Sequence, residues 1–175
     1  DFVLADDGTL FAVIRNEAGD ETGWGSKVCR APANDITAWT CQHDPRKYDS
    51  PLMFWYDGEA YLVARRNVTP TGNYDLGDRN LSALSQTLMY QLDYSTQRKR
   101  CSLWRYEPSR DAIVFILDLP SRGDTCFAGM LWGDEPGQVI IYNYSSPIDG
   151  EDVHWAAGQA GDTNIYRTEL TFVPR

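Results

Sequence analysis

Three residues with reactive or charged side chains occupy one equivalent position in a repeated segment of the chain. Residues 8–15, 58–65 and 137–144 superimpose without a gap, and each repeat runs from a glycine to Arg15, Arg65 or Tyr144. A guanidinium group can bind a carboxylate through two parallel hydrogen bonds. The two arginines are therefore candidates for binding an acidic ligand, and Tyr144 shares their register.

Three carboxylates are the candidates for acid–base chemistry beside them. Asp49 and Asp124 each precede an apolar strand-like run, and Glu17 follows Arg15 by two residues, which places both side chains on one strand face. Glycoside hydrolysis needs carboxylates on both sides of the scissile bond. The alternative is that Asp49 and Asp124 cap turns, and that the arginines form surface ion pairs with acidic neighbours, worth about 0–1 kcal/mol.

Aromatic side chains add a second feature of saccharide sites, because their faces stack on the apolar faces of sugar rings. Trp24 and Trp155 lie in loops that contain glycine and are candidate sugar platforms. Trp55 and Trp132 lie within strand-like runs, where packing between sheets is the simpler explanation.

The elements that must position these residues are β-hairpins. Each repeat follows an apolar run and an acidic turn, and its glycine can adopt the positive φ that such turns need. Three related hairpins spaced by tens of residues predict an all-β fold of stacked β-propeller blades. At roughly 40–50 residues a blade, the chain is one partial propeller domain of about three blades, over residues 1–43, 48–119 and 124–175.

The second blade carries a long insertion, from residue 67 to about 99. Residues 82–92 within it are predicted to form a short helix. Long loops on a rigid β scaffold tend to carry recognition, but a structureless surface insertion is an equal alternative.

Composition excludes several classes of partner. The net charge of −9 disfavours nucleic acids and anionic membrane surfaces, and no apolar run is long enough to span a membrane. His43 and His154 are too few for a histidine metal site. No cofactor is predicted, although calcium held by carboxylates and carbonyls is possible on an acidic chain.

Four cysteines lack the spacing of a zinc site. Pairing Cys29 with Cys41 would bridge strands of the first blade, and pairing Cys101 with Cys126 would link the second blade to the third. Four buried thiols are the alternative, and four cysteines allow three pairings. Disulfides, with sequons at Asn67, Asn80 and Asn143, favour an extracellular or periplasmic location.

Several segments resemble bacterial sialidase-like propellers. Residues 123–130, 139–146 and 163–170 look like the closing blade of that family, which reads Gly-Asp-Thr, then a Tyr-Tyr-Ser-Ser strand and a Thr-x-Ile-Tyr strand. Residues 2–17 and 49–65 are similar to its middle blades. The resemblance implies a six-bladed ring of which this chain is the C-terminal half. No intact Asp-box is present, and residues 36–39 are at most a remnant of one.

The resemblance also implies roles for the candidate residues. Sialidases bind the substrate carboxylate with clustered arginines and use a tyrosine nucleophile activated by a glutamate. Arg15, Arg65 and Glu17 fit that pattern, and either Tyr142 or Tyr144 fits the nucleophile. The general-acid aspartate and one further arginine come from early blades that this chain lacks.

Three interpretations remain open from the sequence. The chain is part of a sialidase-like glycoside hydrolase acting on glycans, a non-catalytic glycan-binding propeller fragment, or a structural interaction module. The hydrolase interpretation predicts that Arg15, Arg65 and a carboxylate converge on one cavity. Because an incomplete propeller exposes blade faces, we also expect a partner chain or self-association to complete it.

Overall fold

The computed structural model describes residues 1–173 and is built from three antiparallel sheets. In each sheet the strands lie in the order in which the chain forms them. The first sheet contains β1 (Phe2–Leu4), β2 (Leu10–Ile14), β3 (Ser26–Ala31) and β4 (Thr40–Asp44). The second contains β5 (Asp49–Tyr56), β6 (Glu59–Asn67), β7 (Lys99–Glu107) and β8 (Ala112–Asp118). The third contains β9 (Gly129–Trp132), β10 (Gln138–Ser145) and β11 (Asn164–Thr171).

Two helices accompany the sheets, α1 (Ala83–Thr96) and α2 (Trp155–Gln159). The expectation of a mainly β chain is confirmed. No helix among the described residues is long and apolar enough to cross a membrane.

The three repeats form the predicted hairpins, β1–β2, β5–β6 and β9–β10. Their turn glycines, Gly8, Gly58 and Gly137, all have positive φ, of 84°, 76° and 76°. A residue with a Cβ is strained in this region, which explains why glycine recurs there.

The second sheet is buried on both faces, and β6 shows this most clearly. Its residues are buried without a break from Ala60 to Arg65. Leu62 and Ala64 pack with the first sheet, whereas Tyr61 and Val63 pack with the third. Successive side chains of a strand point to opposite faces, and both faces of β6 are buried. Its sequence is therefore a continuous apolar run and not an alternation of apolar and polar residues.

Both predicted disulfides are present. Cys29 and Cys41 lie directly opposite each other on β3 and β4. Cys101 on β7 is joined to Cys126, in the segment before β9. The second bridge therefore ties the middle sheet to the loop that carries Asp124.

The insertion is ordered, and its predicted helix is confirmed as α1, which continues to Thr96. The Ser82 side chain accepts a hydrogen bond from the amide of Ser85 and caps the helix. The buried face of α1 consists of Gln86, Tyr90 and Tyr94. A polar and aromatic face thus points inward, where apolar residues would be usual.

Two of the three sequons are closed to modification in the folded chain. Asn67 and Asn143 are buried, at 4% and 3% exposure, while Asn80 is exposed. N-glycosylation needs a surface asparagine, so Asn80 alone of the three meets that condition.

Candidate functional site

The two repeat arginines make the same kind of contact at successive sheet boundaries. Arg15 follows β2, and its Nε lies 2.9 Å from Oδ1 of Asp49, the first residue of β5. Arg65 is near the end of β6, and its Nη2 lies 3.7 Å from Oδ1 of Asp124. Arg15 thus reaches from the first sheet to the start of the second, and Arg65 from the second sheet to the loop that precedes the third.

Arg65 is held by three hydrogen bonds, so its guanidinium plane has a fixed orientation. Nη1 donates to the hydroxyl of Tyr94 over 3.0 Å, and Nη2 donates to the hydroxyl of Tyr144 over 2.9 Å. Nε donates to the carbonyl of Thr125. The side chain is 9% exposed, and hydrogen bonds to a buried charged group are among the stronger ones.

Asp124, Tyr144 and Trp155 form one hydrogen-bonded unit beside Arg65. Oδ1 of Asp124 accepts from the Tyr144 hydroxyl over 3.0 Å and from Nε1 of Trp155 over 2.8 Å. The guanidinium carbon of Arg65 lies 5.7 Å from the centre of the Trp155 ring. Burial raises the pKa of Tyr144, and the charge of Asp124 raises it further while Arg65 opposes the change. Tyr144 is therefore protonated in this resting arrangement.

Glu17 joins the arrangement through Lys47, which was not among the sequence candidates. Oε1 of Glu17 pairs with Arg15, and Oε2 accepts from Nζ of Lys47 over 2.9 Å. Partial burial would raise the pKa of Glu17, but the hydrogen bonds and charges of Lys47 and Arg15 outweigh it and lower the pKa to about 2. Glu17 is thus a carboxylate at neutral pH. The surface ion pair with Arg15, offered above as a non-functional alternative, does exist.

Tyr94 of α1 lies between the two arginine contacts. Its hydroxyl accepts from Arg65 and faces Asp49. Its ring lies 4.5 Å from Nζ of Lys47 and 3.6 Å from Nζ of Lys99. Burial, and next to it the charge of Asp49, raise the pKa of Tyr94 well above its usual value. The insertion therefore supplies the neutral hydroxyl around which the charged groups are arranged.

Lys99 is fully buried at the start of β7. Its Nζ donates to Oδ1 of Asn67 and to the carbonyl of Tyr94, both over 2.6 Å. Burial lowers the pKa of Lys99 to about 7, with Asp49 opposing the shift and the charges of Arg65 and Lys47 adding to it. Its ammonium group consequently loses its charge near neutral pH.

These residues make up what we call the arginine cluster. It brings four basic side chains together with three carboxylates, namely Arg15, Lys47, Arg65 and Lys99 with Glu17, Asp49 and Asp124. Tyr94, Tyr144 and Trp155 complete it. The cluster carries one excess positive charge with Lys99 protonated and none with Lys99 neutral, although the whole chain carries −9. This local charge suits an anionic ligand.

Two candidates lie apart from the cluster. Tyr142 is 40% exposed on β10, where it stands opposite Arg167 of β11. Trp24 stacks on Tyr90, with ring centres 4.8 Å apart. A cleft of about 500 Å³ beside Trp24 is lined by four carboxylates, Asp20, Glu21, Asp75 and Asp78. An acidic sugar would be repelled there, so the Trp24 surface does not extend the arginine cluster.

Sequence reasoning missed Lys47, Tyr94 and Lys99. All three are buried, and the two lysines carry an unusual signal: lysine is rarely buried unless it is paired. Lys99 precedes the mainly apolar strand-like run 101–106. A lysine in this position is the sequence feature that could have indicated a buried ammonium group.

Metal binding gains no support from these contacts. Within residues 1–173 no group of three or more histidine, cysteine, aspartate or glutamate side chains is placed to hold a metal ion. Each carboxylate of the cluster is already paired with an arginine or a lysine. A calcium ion would have to displace these basic side chains to bind there.

Neither protein-family models nor curated proteins give a significant match to the chain.

Proposed function

We propose that the chain is part of a sialidase-like glycoside hydrolase, and that the arginine cluster binds the carboxylate of an acidic sugar. One observation carries the proposal: Arg15, Asp49, Tyr94, Arg65 and Asp124 follow one another in a continuous series of contacts. The hydrolase interpretation predicts that the two arginines and a carboxylate converge on one cavity, and this series of contacts supports their proximity. Surface arginines in unrelated ion pairs would not produce it.

Arg15 is the side chain through which a ligand carboxylate would bind. Its side chain is 46% exposed, and Glu17, which pairs with it, is 45% exposed. An exposed pair of this kind is worth only about 0–1 kcal/mol, so a sugar carboxylate can take the place of Glu17. Lys47 would keep Glu17 charged after that exchange.

Tyr144 is the proposed nucleophile and Asp124 the base that receives its proton. The hydroxyl already donates to Asp124 and accepts from Arg65. As the tyrosine oxygen forms its bond to the anomeric carbon, the glycosidic bond breaks and the phenolic proton moves to Asp124. The leaving oxygen needs a further proton, which the resemblance assigns to an aspartate from an early blade.

This assignment differs from the family pattern in one respect. The tyrosine of sialidases is activated by a glutamate, whereas the hydroxyl of Tyr144 bonds to Asp124 and Glu17 pairs with Arg15 and Lys47. The proposal therefore gives Glu17 a role in the carboxylate site and not in activating the nucleophile.

Non-catalytic glycan binding is the second candidate, and a specific observation favours it. Three N–H groups of Arg65 already donate hydrogen bonds within the chain, to Tyr94, Tyr144 and Thr125. A network satisfied in this way can hold a binding surface in shape without turning over a substrate. The two functions share a ligand and differ in the behaviour of Tyr144.

Titration calorimetry with N-acetylneuraminic acid and with its methyl ester tests the ligand. We expect the free acid to bind and the ester, which lacks the charge, to bind about tenfold more weakly or worse. Arg15→Ala should remove this preference, whereas Arg110→Ala, at an exposed arginine paired with Glu107, should leave it. Equal affinity for acid and ester would overturn the proposal.

Turnover separates the two candidate functions. Hydrolysis of a fluorogenic aryl ketoside of sialic acid by the whole protein should vanish in Tyr144→Phe while sugar binding persists. Binding without hydrolysis in the unmodified protein would favour the non-catalytic function.

The proposed location is extracellular or periplasmic. Two disulfides support it, because such bonds persist in oxidising compartments. Fractionation of the source cells, followed by electrophoresis without reductant, is the direct check.

A further inference from the structure

The insertion helix α1 turns its leucines away from the rest of the protein. All three of them are exposed, with Leu84 at 71%, Leu88 at 61% and Leu92 at 57%. A helix at a protein surface normally packs its apolar face against the core. In α1 the face that packs inward is the polar and aromatic one, so the leucines are left in contact with water.

Hydrogen bonds of the inward face hold α1 in this orientation. The Tyr90 hydroxyl bonds to the carboxylate of Asp75 and to the carbonyl of Gly77. The Tyr94 hydroxyl accepts from Arg65. Rotating the helix to bury its leucines would break these bonds and leave buried polar groups without partners. The exposure of the leucines is therefore fixed by the fold.

The exposed leucines form a ridge. Residues four apart are neighbours on a helix, and Leu84, Leu88 and Leu92 extend over about 12 Å of the axis at about 1.5 Å per residue. Leu81, just before the helix, is also exposed, at 45%. We call these four side chains the leucine ridge. The only charged residue of α1 is Asp93, and an uncharged apolar row of this kind marks an interaction surface.

An acidic cleft adjoins one end of the leucine ridge. Leu81 and Ala83 form part of the wall of the cleft of about 500 Å³ described above, which we call the acidic cleft. Of its four carboxylates, Glu21 and Asp78 form no ion pair with any residue from 1 to 173. Two negative charges without a cationic partner therefore lie next to an exposed apolar surface.

We propose that the leucine ridge and the acidic cleft together bind a basic amphipathic helix of a partner protein. Apolar side chains on one face of that helix would cover the ridge, and a lysine or arginine at the edge of that face would enter the cleft beside Glu21 and Asp78. Helices that bind other proteins in this way present apolar residues at three- and four-residue spacings, as the ridge does. The inference does not depend on the proposed activity, and it uses no residue of the arginine cluster.

Charge favours this partner over other occupants of the ridge. A second copy of the chain carries −9 and would bring further carboxylates to the acidic cleft. An anionic lipid surface is repelled for the same reason, and α1 has no lysine or arginine of the kind that membrane-surface helices carry on their polar face. Complementary charges instead favour a basic partner and speed its association.

Fluorescence anisotropy with three labelled helical peptides tests the proposal. The first peptide has leucine along one face and lysine along the other, the second has alanine in place of leucine, and the third has glutamate in place of lysine. We expect the leucine–lysine peptide to bind the whole chain at least about tenfold more tightly than either of the others. Its affinity should fall as salt is added, because the charges of the cleft are exposed to solvent.

Substitutions on the leucine ridge test the apolar contact. Leu84→Gln with Leu88→Gln removes two exposed leucines and keeps residues that favour a helix, so affinity for the leucine–lysine peptide should fall about tenfold. The matched control is Leu131→Gln with Ile165→Gln, at residues of the third sheet that are 60% and 72% exposed. This control should bind the peptide as the unmodified chain does.

Substitutions in the acidic cleft test the charge. Glu21→Gln with Asp78→Asn should weaken binding about tenfold and make it less dependent on salt. Asp134→Asn with Glu135→Gln makes the same change in net charge at an exposed turn outside the cleft, and it should alter neither the affinity nor the salt dependence by comparable amounts.

Equal affinity for the leucine–lysine and alanine–lysine peptides, or unchanged binding in the ridge or cleft variants, would overturn the proposal. Analytical ultracentrifugation and flotation with phosphatidylcholine vesicles examine the other occupants. A dimer of the unmodified chain, or binding to vesicles, that Leu84→Gln with Leu88→Gln abolishes would assign the ridge to a second copy or to a lipid surface instead. Circular dichroism spectra matching the unmodified chain establish that the variants fold.

Discussion

Nε of Arg15 lies 2.9 Å from Oδ1 of Asp49, and this ion pair joins the first sheet to the second. Arg65 and Asp124 stand in the same relation one sheet further along, at 3.7 Å. The repeat therefore preserves a contact between sheets as well as a hairpin. In the third sheet Tyr144 occupies the arginine position and bonds to Asp124, in the loop before β9. The three repeats therefore differ in the contact made from this position.

Removing the hydroxyl of Tyr94 should weaken ligand binding. Tyr94→Phe leaves Nη1 of Arg65 without its acceptor and deprives Asp49 of a facing hydroxyl, which costs about 1–3 kcal/mol of stability. We expect affinity for the acidic sugar to fall about tenfold, because Asp49, the partner of Arg15, loses its facing hydroxyl and Arg65 keeps only two of its three acceptors. Urea denaturation and calorimetry measure the two effects.

Tyr90→Phe is the matched control for Tyr94→Phe. The Tyr90 hydroxyl bonds to Leu76, Gly77 and Asp75, away from the arginine cluster. A similar loss of stability with unchanged sugar affinity is expected. If both variants reduce affinity equally, Tyr94 acts only through the general stability of the insertion.

The charge of Lys99 should make stability rise with pH above neutrality. Its pKa is about 7 in the folded chain, whereas the ordinary pKa of lysine is 10.5. Between these values the unfolded chain holds a proton that the folded chain has lost, so the free energy of unfolding rises by up to about 1.4 kcal/mol per pH unit. Below about pH 7 both states are protonated and the contribution is constant.

Lys99→Met isolates this effect. The difference in unfolding free energy between the unmodified chain and the variant, measured from pH 6 to 9.5, should show the slope above pH 7. A flat difference across that range would mean that Lys99 stays charged when buried. Arg100→Met, beside it but paired with Asp152, should give no such slope.

The two disulfides should differ in function although they contribute similarly to stability. They close segments of 12 and 25 residues, for which loop-closure entropy gives about 3 kcal/mol each. Replacing Cys29 and Cys41 by serine should lower stability alone. Replacing Cys101 and Cys126 should also weaken sugar binding, because Cys126 adjoins Thr125, whose carbonyl holds Arg65.

The repeat glycines offer a test of the hairpin turns. Gly58 and Gly137 share a φ of 76°, but an added Cβ meets open space at Gly58 and the carbonyl oxygen of Phe172, 2.6 Å away, at Gly137. Gly58→Ala should cost about 1 kcal/mol of unfolding free energy. Gly137→Ala should cost distinctly more, since backbone must move. Equal losses of unfolding free energy in urea denaturation would show that φ strain alone, and not the contact with Phe172, determines the cost of both substitutions.

Local signals accounted for much of the fold. Turn glycines that follow apolar runs and acidic turns predicted the hairpins, and the positions of the cysteines in the predicted blades suggested the two pairs that the structure contains. Between β3 and β4 the carboxylate of Asp35 accepts from both the amide and the hydroxyl of Thr37, so a turn precedes β4, which begins at Thr40.

The site residues that the sequence did not predict are brought into place by contacts between distant segments of the chain. The partners of Glu17 include Lys47 and Gln91, 30 and 74 residues away. Nothing in the helix signal of 82–92 showed that its inward face would be aromatic, or that Tyr94 beyond its predicted end would meet Arg65. Such pairings arise only when the insertion folds back over the sheets.

Because β6 is buried on both faces, Arg65 and Arg15 are attached to strands that should differ in how often they open locally. Amide hydrogens exchange slowly where backbone is covered, and local opening is rarest in such strands. Arg65 is therefore attached to what should be the slowest-exchanging strand, whereas Arg15 follows β2, whose sheet has one open face. A ligand that contacts both Arg15 and Arg65 would reduce the motion of the first sheet relative to the second. This loss of conformational entropy would make the entropy of binding less favourable.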